Sequence, residues 1–299
     1  MDYSVRGRTI CPEMVVDVFV DDAPFLEDCP TVFRAILVCQ GAALIQINGQ
    51  RFFVEAPSVL CLNGSEQISL LKSDSFSVCT VFFKPQVINS RFTLDYIYSA
   101  DIRCEHSTER QDLYWLDYFI SERGPELCIR LGPHAMERIL AILASLRKSL
   151  TEQIDGYWPC RSRSHFLEFL FYIREDSNKY GEYKTGFGKI PERIEDVYLY
   201  LHSHYHQDIS LSSLCERFAI NRTSLNEYFL KYSGQTVIQY LIHLRIRLAS
   251  LFLRDTMVPV KELVYRTGFS DPVNFNRTFK RITNYTPSQY RKEFNWILM

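Results

Sequence analysis

The chain has 299 residues, 46% of them hydrophobic and 23% charged, with a formal net charge of −1. That length exceeds what one hydrophobic core usually holds and predicts two domains; no run nears the ~20 apolar residues of a membrane span, so none is expected. Nine cysteines occur without a CxxC pair, and residues 1–14 lack the apolar segment of a secretory leader. Free thiols in a reducing cytoplasm are therefore expected. The small net charge conceals a gradient: residues 191–299 hold 14 Lys plus Arg against 10 Asp plus Glu, and the rest of the chain 20 against 25. A positive tail on an acidic body is mild support for a polyanionic partner.

Residues 14–84 read as strands. Runs at 31–39, 43–49, 51–57, 58–62 and 75–83 are rich in β-branched and aromatic residues, with turn signals at Gly41, Asn48-Gly49 and Asn63-Gly64. Asn48-Gly49 predicts a hairpin, because a type I′ turn needs positive φ at both central residues. From 111 to about 176 the period becomes helical. Met136, Ile139, Leu140, Leu143 and Leu146 form one stripe and Phe166, Phe169, Leu170 and Ile173 another, with a loop at 155–160. Residues 178–190 have three glycines and no apolar period, and are the expected linker between a front domain (1–177) and a tail domain (191–299). The tail reads as helices at 193–205, after Ser210, after Asn221, at 236–255, 260–266 and 271–282, and after Thr286-Pro287.

The tail contains an internal repeat. Leu214, Cys215, Arg217 and Phe218 recur 49 positions on as Leu263, Val264, Arg266 and Thr267. After one extra turn residue the offset is 50, and Leu225, Asn226, Phe229 and Lys231 match Phe275, Asn276, Phe279 and Arg281. Each copy predicts a short helix, a tight turn and a second helix pinned by apolar residues four apart, the helix-turn-helix layout. The outward positions are then free to meet base edges in a major groove. They are Arg222, Thr223, Asn226 and Glu227 in the first copy, and Val273, Asn274, Asn276 and Arg277 in the second. Arg pairs with guanine, Asn with adenine, Glu with the cytosine amino group, and Val or the Thr methyl with the thymine methyl.

Residues 268–291, GFSDPVNFNRTFKRITNYTPSQYR, resemble the signature of AraC/XylS-type transcription regulators, and Arg245 and Ala249 in YLIHLRIRLASLFL (240–253) match that family's linker helix. The resemblance spans about 190–294. It implies two recognition helices in successive major grooves of double-stranded DNA, ~34 Å apart, with Lys231, Lys280 and Arg281 on phosphates. Asn284 stands where glycine is usual, and asparagine tolerates the left-handed conformation. Glu227 stands where many members carry a basic residue, which points the first unit to cytosine or to little base reading. The resemblance also implies a cupin-like front barrel followed by helices that sense a ligand or dimerise, and, for an activator, RNA polymerase as a partner.

Metal-dependent cupins place His-x-His just after the glycine; here residues 42–46 hold no histidine, and His106, His134 and His165 are scattered, so no metal, cofactor or catalytic residue is expected. Arg34 or Arg51 offers an anion partner to a small molecule, or both face water while Phe33, Phe52 and Phe53 fill the core. His202, His204 and His206 alternate near a helix end, reading as solvated more readily than as metal ligands. The 136–146 stripe packs on its own barrel or on a second copy. The fold class expected is multidomain α+β: a cupin-like β-barrel with helices, then an all-α tail of two helix-turn-helix subdomains joined by a long helix. The function expected is a cytoplasmic, bacterial-type transcription regulator, activator or repressor, that responds to a small-molecule or other signal. The alternatives are a cupin-type metal enzyme with a helical accessory domain, and a protein-interaction module.

Overall fold

The computed structural model describes residues 3–22, 32–98, 107–120, 128–180 and 192–295. Strands β1 (Val5–Arg6) and β2 (Val15–Val16) pair with each other. The main antiparallel sheet consists of β3 (Val18–Asp21), β4 (Phe33–Ile47), β5 (Gln50–Glu55), β6 (Ser58–Leu62), β7 (Ile68–Phe83) and β8 (Cys128–Arg130). Its order is β3-β7-β4-β6-β8, with β5 also on β4, an open path among the described residues. Short helices α1 (Leu94–Ile97), α2 (Ser107–Tyr114) and α3 (Asp117–Ile120) precede two long ones, α4 (Pro133–Glu152) and α5 (Trp158–Tyr180).

The β4–β5 hairpin turns at Asn48 (φ 48°) and Gly49 (φ 82°), the two positive values a type I′ turn requires. Gly41, expected as a turn between strands, instead lies within the continuous β4 at a register shift against β7. There φ is +69° and an added Cβ would sit 2.3 Å from the carbonyl oxygens of Asp74 and Ser75, so only glycine passes. The alternation of β4 sorts its side chains between cores. Phe33, Ala35 and Leu37 pack with α4 and α5 side chains, whereas Ile36, Val38, Ile45 and Ile47 join Val54 and Leu60.

On α4, Met136, Ile139, Leu143 and Leu146 are buried as expected, together with Ile142 and Leu150, but Leu140 is 39% exposed. Phe166, Phe169, Leu170 and Ile173 of α5 are all buried. That helix starts inside the segment expected as a loop at 155–160 and runs to Tyr180, beyond the expected end of the front domain at 177. The remaining expected linker residues, 181–190, and His106 lie outside the described residues.

The tail comprises α6 (Glu192–His204), α7 (Leu211–Arg217), α8 (Arg222–Ser233), α9 (Val237–Asp255), α10 (Val260–Arg266), α11 (Pro272–Thr283) and α12 (Pro287–Phe294). Helix α9 serves two cores from different faces: Leu241, Leu244, Leu248 and Leu251 join the first, and Ile246, Ala249 and Leu253 the second.

The front sheet packs directly on the tail. Past the bulge, Ala42, Leu44 and Phe53 meet Ile194, Val197, Tyr198 and Leu201 of α6. Charges frame that contact. Glu195, almost fully buried, pairs with Arg51 and Lys72, each at 3.2 Å, and Lys72 also reaches Asp196 at 3.1 Å. Glu55, at the end of β5, pairs with Arg130 of β8, with His202 of α6 and with Arg247 of α9 at 2.9 Å. These contacts correct two expectations. Arg34 is buried with its guanidinium on the Glu66 carbonyl at 2.8 Å, so it does not face water, whereas Arg51 is exposed while pairing with Glu195 of α6. His202 is buried on Glu55 and His204 bonds Asp74 at 2.7 Å, so the helix end is docked rather than solvated; of the three histidines only His206 is exposed. Burial, with Arg247 and Arg130 nearby, holds the His202 pKa well below its usual value.

Candidate nucleic-acid interface

The two helix-turn-helix units are α7-α8 and α10-α11. In each turn the residue after the first helix's C-cap is left-handed: Ala219 at φ 50° and Gly268 at φ 82°. The next N–H then reaches back five residues, Ile220 to Cys215 at 3.1 Å and Phe269 to Val264 at 2.9 Å. Ser270 is the extra residue before the second helix. Asn221 caps α8 by accepting from Ser224 at 2.8 Å, and Asp271 caps α11 by accepting from Val273 at 3.0 Å and Asn274 at 2.8 Å. The second helices end on Gly234 (φ 72°) and Asn284 (φ 65°), so asparagine takes the left-handed stop as expected.

Leu225 and Phe229 anchor α8, and Phe275 and Phe279 anchor α11, all four fully buried. Opposite them lie the residues expected to meet DNA. Arg222, Thr223 and Glu227 are exposed on α8, and Val273, Asn274, Asn276 and Arg277 on α11, with Val273 at 74%. Lys231, Lys280 and Arg281 are exposed toward the ends of the same helices. Three of these side chains are already engaged. Arg222 donates to Ser212 Oγ on α7 at 2.7 Å; Asn274 Oδ1 accepts from Arg277 at 3.5 Å and from Thr278 at 3.4 Å. Asn226 is half-buried, and its Oδ1 accepts from the Val237 N–H at 3.3 Å.

Arg245 ties the units together. From α9 it donates to the Tyr205 carbonyl at 2.8 Å and the Gln207 carbonyl at 2.7 Å, and its guanidinium lies 5.9 Å from the Phe269 ring. Gly268 fits beneath it, where a Cβ would fall 2.3 Å from the Tyr205 oxygen and 2.9 Å from Arg245 Nε. A cleft of about 640 Å³ opens beside this clamp, lined by His206, Arg245, Asn274, Arg277 and Arg281. The sequence marked Arg245 only through its resemblance to the family's linker helix, since which carbonyls such an arginine meets depends on the tertiary fold.

The family described as "Helix-turn-helix domain" matches residues 214–293. An HTH-type transcriptional regulator in the cgkA 5′ region of Pseudoalteromonas carrageenovora is 26% identical over 159 residues, covering 53% of this chain and 91% of that protein. An HTH-type transcriptional regulator of Staphylococcus aureus is 35% identical over 100 residues, which are 33% of this chain but only 13% of that protein. Among solved structures, a probable AraC family transcriptional regulator from Rhodopseudomonas palustris aligns with a TM-score of 0.32 at 19% identity, over 35% of this chain and 99% of that one.

Proposed function

We propose that the tail of this chain is a DNA-binding domain of the AraC/XylS type of transcription regulator, and that the whole protein is a sequence-specific regulator whose front unit controls how the tail meets DNA. The observation that carries this reading is the repetition of one helix-turn-helix geometry with exposed polar faces on both α8 and α11. The two helices enter successive major grooves, ~34 Å apart. Arg222, Thr223 and Glu227 face one groove, with Asn226 behind them on the start of α9, and Val273, Asn274, Asn276 and Arg277 face the other. Lys231, Lys280 and Arg281 neutralise phosphates, which sets affinity and salt dependence rather than sequence preference.

The division is a sensing front domain that runs through α5 to Tyr180, a linker at 181–190 and a DNA-binding domain from 191. The front sheet is cupin-like and takes a small-molecule or other signal, the protein acts in the cytoplasm, and for an activator RNA polymerase is the further partner; the 136–146 stripe, Leu140 apart, is buried in the chain's own core, so it is not the face on which a second copy would pair. Support for control by the front unit comes from its direct packing on α6 and its Glu55 contacts to His202 and Arg247. The test is selection of duplexes from a randomised pool by the purified chain, followed by titration at several salt concentrations. One enriched sequence, and a log-log salt slope of several ions released, are the expected results. Binding that ignores sequence at every salt concentration would overturn the reading.

A further inference from the structure

The two units repeat almost bond for bond. Ser233 Oγ donates to the Phe229 carbonyl at 2.8 Å, as Thr283 Oγ1 does to that of Phe279 at 2.8 Å. Capping boxes follow in both, Thr236 with Gln239 and Thr286 with Gln289. One bond breaks the pattern. Asn226 Oδ1 accepts the N–H of Val237, the first residue of α9, one of the donors a helix start leaves unsatisfied. Fifty positions on, Asn276 faces the same place in the chain, but the residue there is Pro287, which has no N–H to give. Asn276 is exposed, and its side chain hydrogen-bonds to no group among the described residues.

This difference decides what each carboxamide can read. Recognition of adenine needs both ends of the group at once, the oxygen accepting from N6 and the nitrogen donating to N7. Asn226 Oδ1 keeps a second lone pair, but its bond to Val237 holds the half-buried carboxamide at the start of α9 and fixes its direction, so it cannot turn both ends to a base without breaking that bond. Asn276 is exposed and free to turn both ends. We infer that Asn276 is the adenine-reading residue of the second unit, whereas Asn226 is a positioning residue that ties α8 to the start of α9. The assignment rests on the reading that α8 and α11 enter DNA, and it makes Pro287 a specificity determinant that touches no base.

Four variants of the full chain test it: Asn276→Ala, Asn226→Ala, Pro287→Val and Val237→Pro. The proline exchange is compatible with the backbone, because Thr236 (φ −68°, ψ 159°) and Thr286 (φ −70°, ψ 156°) precede their helices in nearly the same conformation. Each is titrated by fluorescence anisotropy against the duplex the wild type selects and against its single-base variants. Asn276→Ala is expected to lose roughly 5- to 150-fold discrimination at one A·T pair and keep the rest. Pro287→Val flattens the same pair although Asn276 is intact, because the new N–H ties its carboxamide to the start of α12 as Val237 ties that of Asn226. Asn226→Ala weakens all duplexes by a common factor, lowers the melting temperature and leaves the preference profile unchanged. Val237→Pro frees Asn226 and adds a preference in the other half of the site. A single position flattened by Asn226→Ala, or a wild-type profile in Asn276→Ala, overturns the assignment alone, and that pair decides even where a proline variant fails to fold. A wild-type chain that selects no sequence overturns the DNA-reading premise as well.

Discussion

Arg277 shows how much a single side chain on α11 is asked to do. It is exposed, its guanidinium leans on Asn274 Oδ1 at 3.5 Å, and it lines the cleft between the units. Arg277→Ala is expected to weaken specific binding by roughly 1–3 kcal/mol and to relax preference at one base pair, measured by the same titrations. An equal loss on every sequence would make it a phosphate contact instead. Gly268 acts through the backbone. With φ at +82° and Tyr205 blocking its Cβ, Gly268→Ala is expected to cost at least ~1–2 kcal/mol in urea denaturation. The equivalent Ala219, also left-handed, is exposed, which is how the first unit carries an alanine there. An unchanged midpoint for Gly268→Ala would remove the close-approach explanation.

At the scale of elements, each recognition helix is held by two apolar anchors and its caps. Phe279 is fully buried and packs against Phe275 and Tyr290 at ring separations of 5.6 and 5.5 Å. Phe279→Ala is expected to cost ~3–5 kcal/mol and to loosen the second unit, checked by thermal melting. A variant that melts with the wild type would place the anchor elsewhere. Local chemistry is why the tail was legible: asparagine, serine and threonine caps, left-handed stops at Gly234 and Asn284, and anchors four apart all act within a few residues. The sheet was less so. Gly41 has the signature of a turn, and only the approach of β7 makes it a bulge inside one long strand. Leu140 has the spacing of its neighbours but faces outward, since a helix period alone does not say how wide the buried stripe is. Asn226 was legible as an outward residue but not as a bonded one, because its partner lies eleven positions on in another helix.

For the whole molecule, the contact between the front sheet and the tail was the least legible part. Glu55, Arg130, His202 and Arg247 come from four distant stretches, and nothing in their local sequence announces a cluster. Glu55→Gln removes the carboxylate that both guanidinium groups share and is expected to cost ~3–5 kcal/mol, read from the denaturation midpoint of the full chain. A midpoint within error of wild type would show the pairs to be dispensable. The same cluster gives a pH dependence. His202 is held neutral, with its pKa below the ordinary 6.5, so its contribution is complete above that value and is lost as pH falls from there toward the lowered one. Melting temperature is expected to drop between pH 7 and pH 5, and His202→Gln to lessen that drop; equal slopes in both proteins would exclude His202 as the source. One consequence concerns modularity. A tail transplanted onto another front sheet, joined between α5 and Glu192, takes His202 and Arg247 along and leaves Glu55 and Arg130 behind. Only a recipient with an acid at the end of the matching hairpin restores the joint; any other strands an arginine at the seam. The two halves are thus compatible by chemical code rather than by tether, which narrows the set of front units with which this tail can recombine.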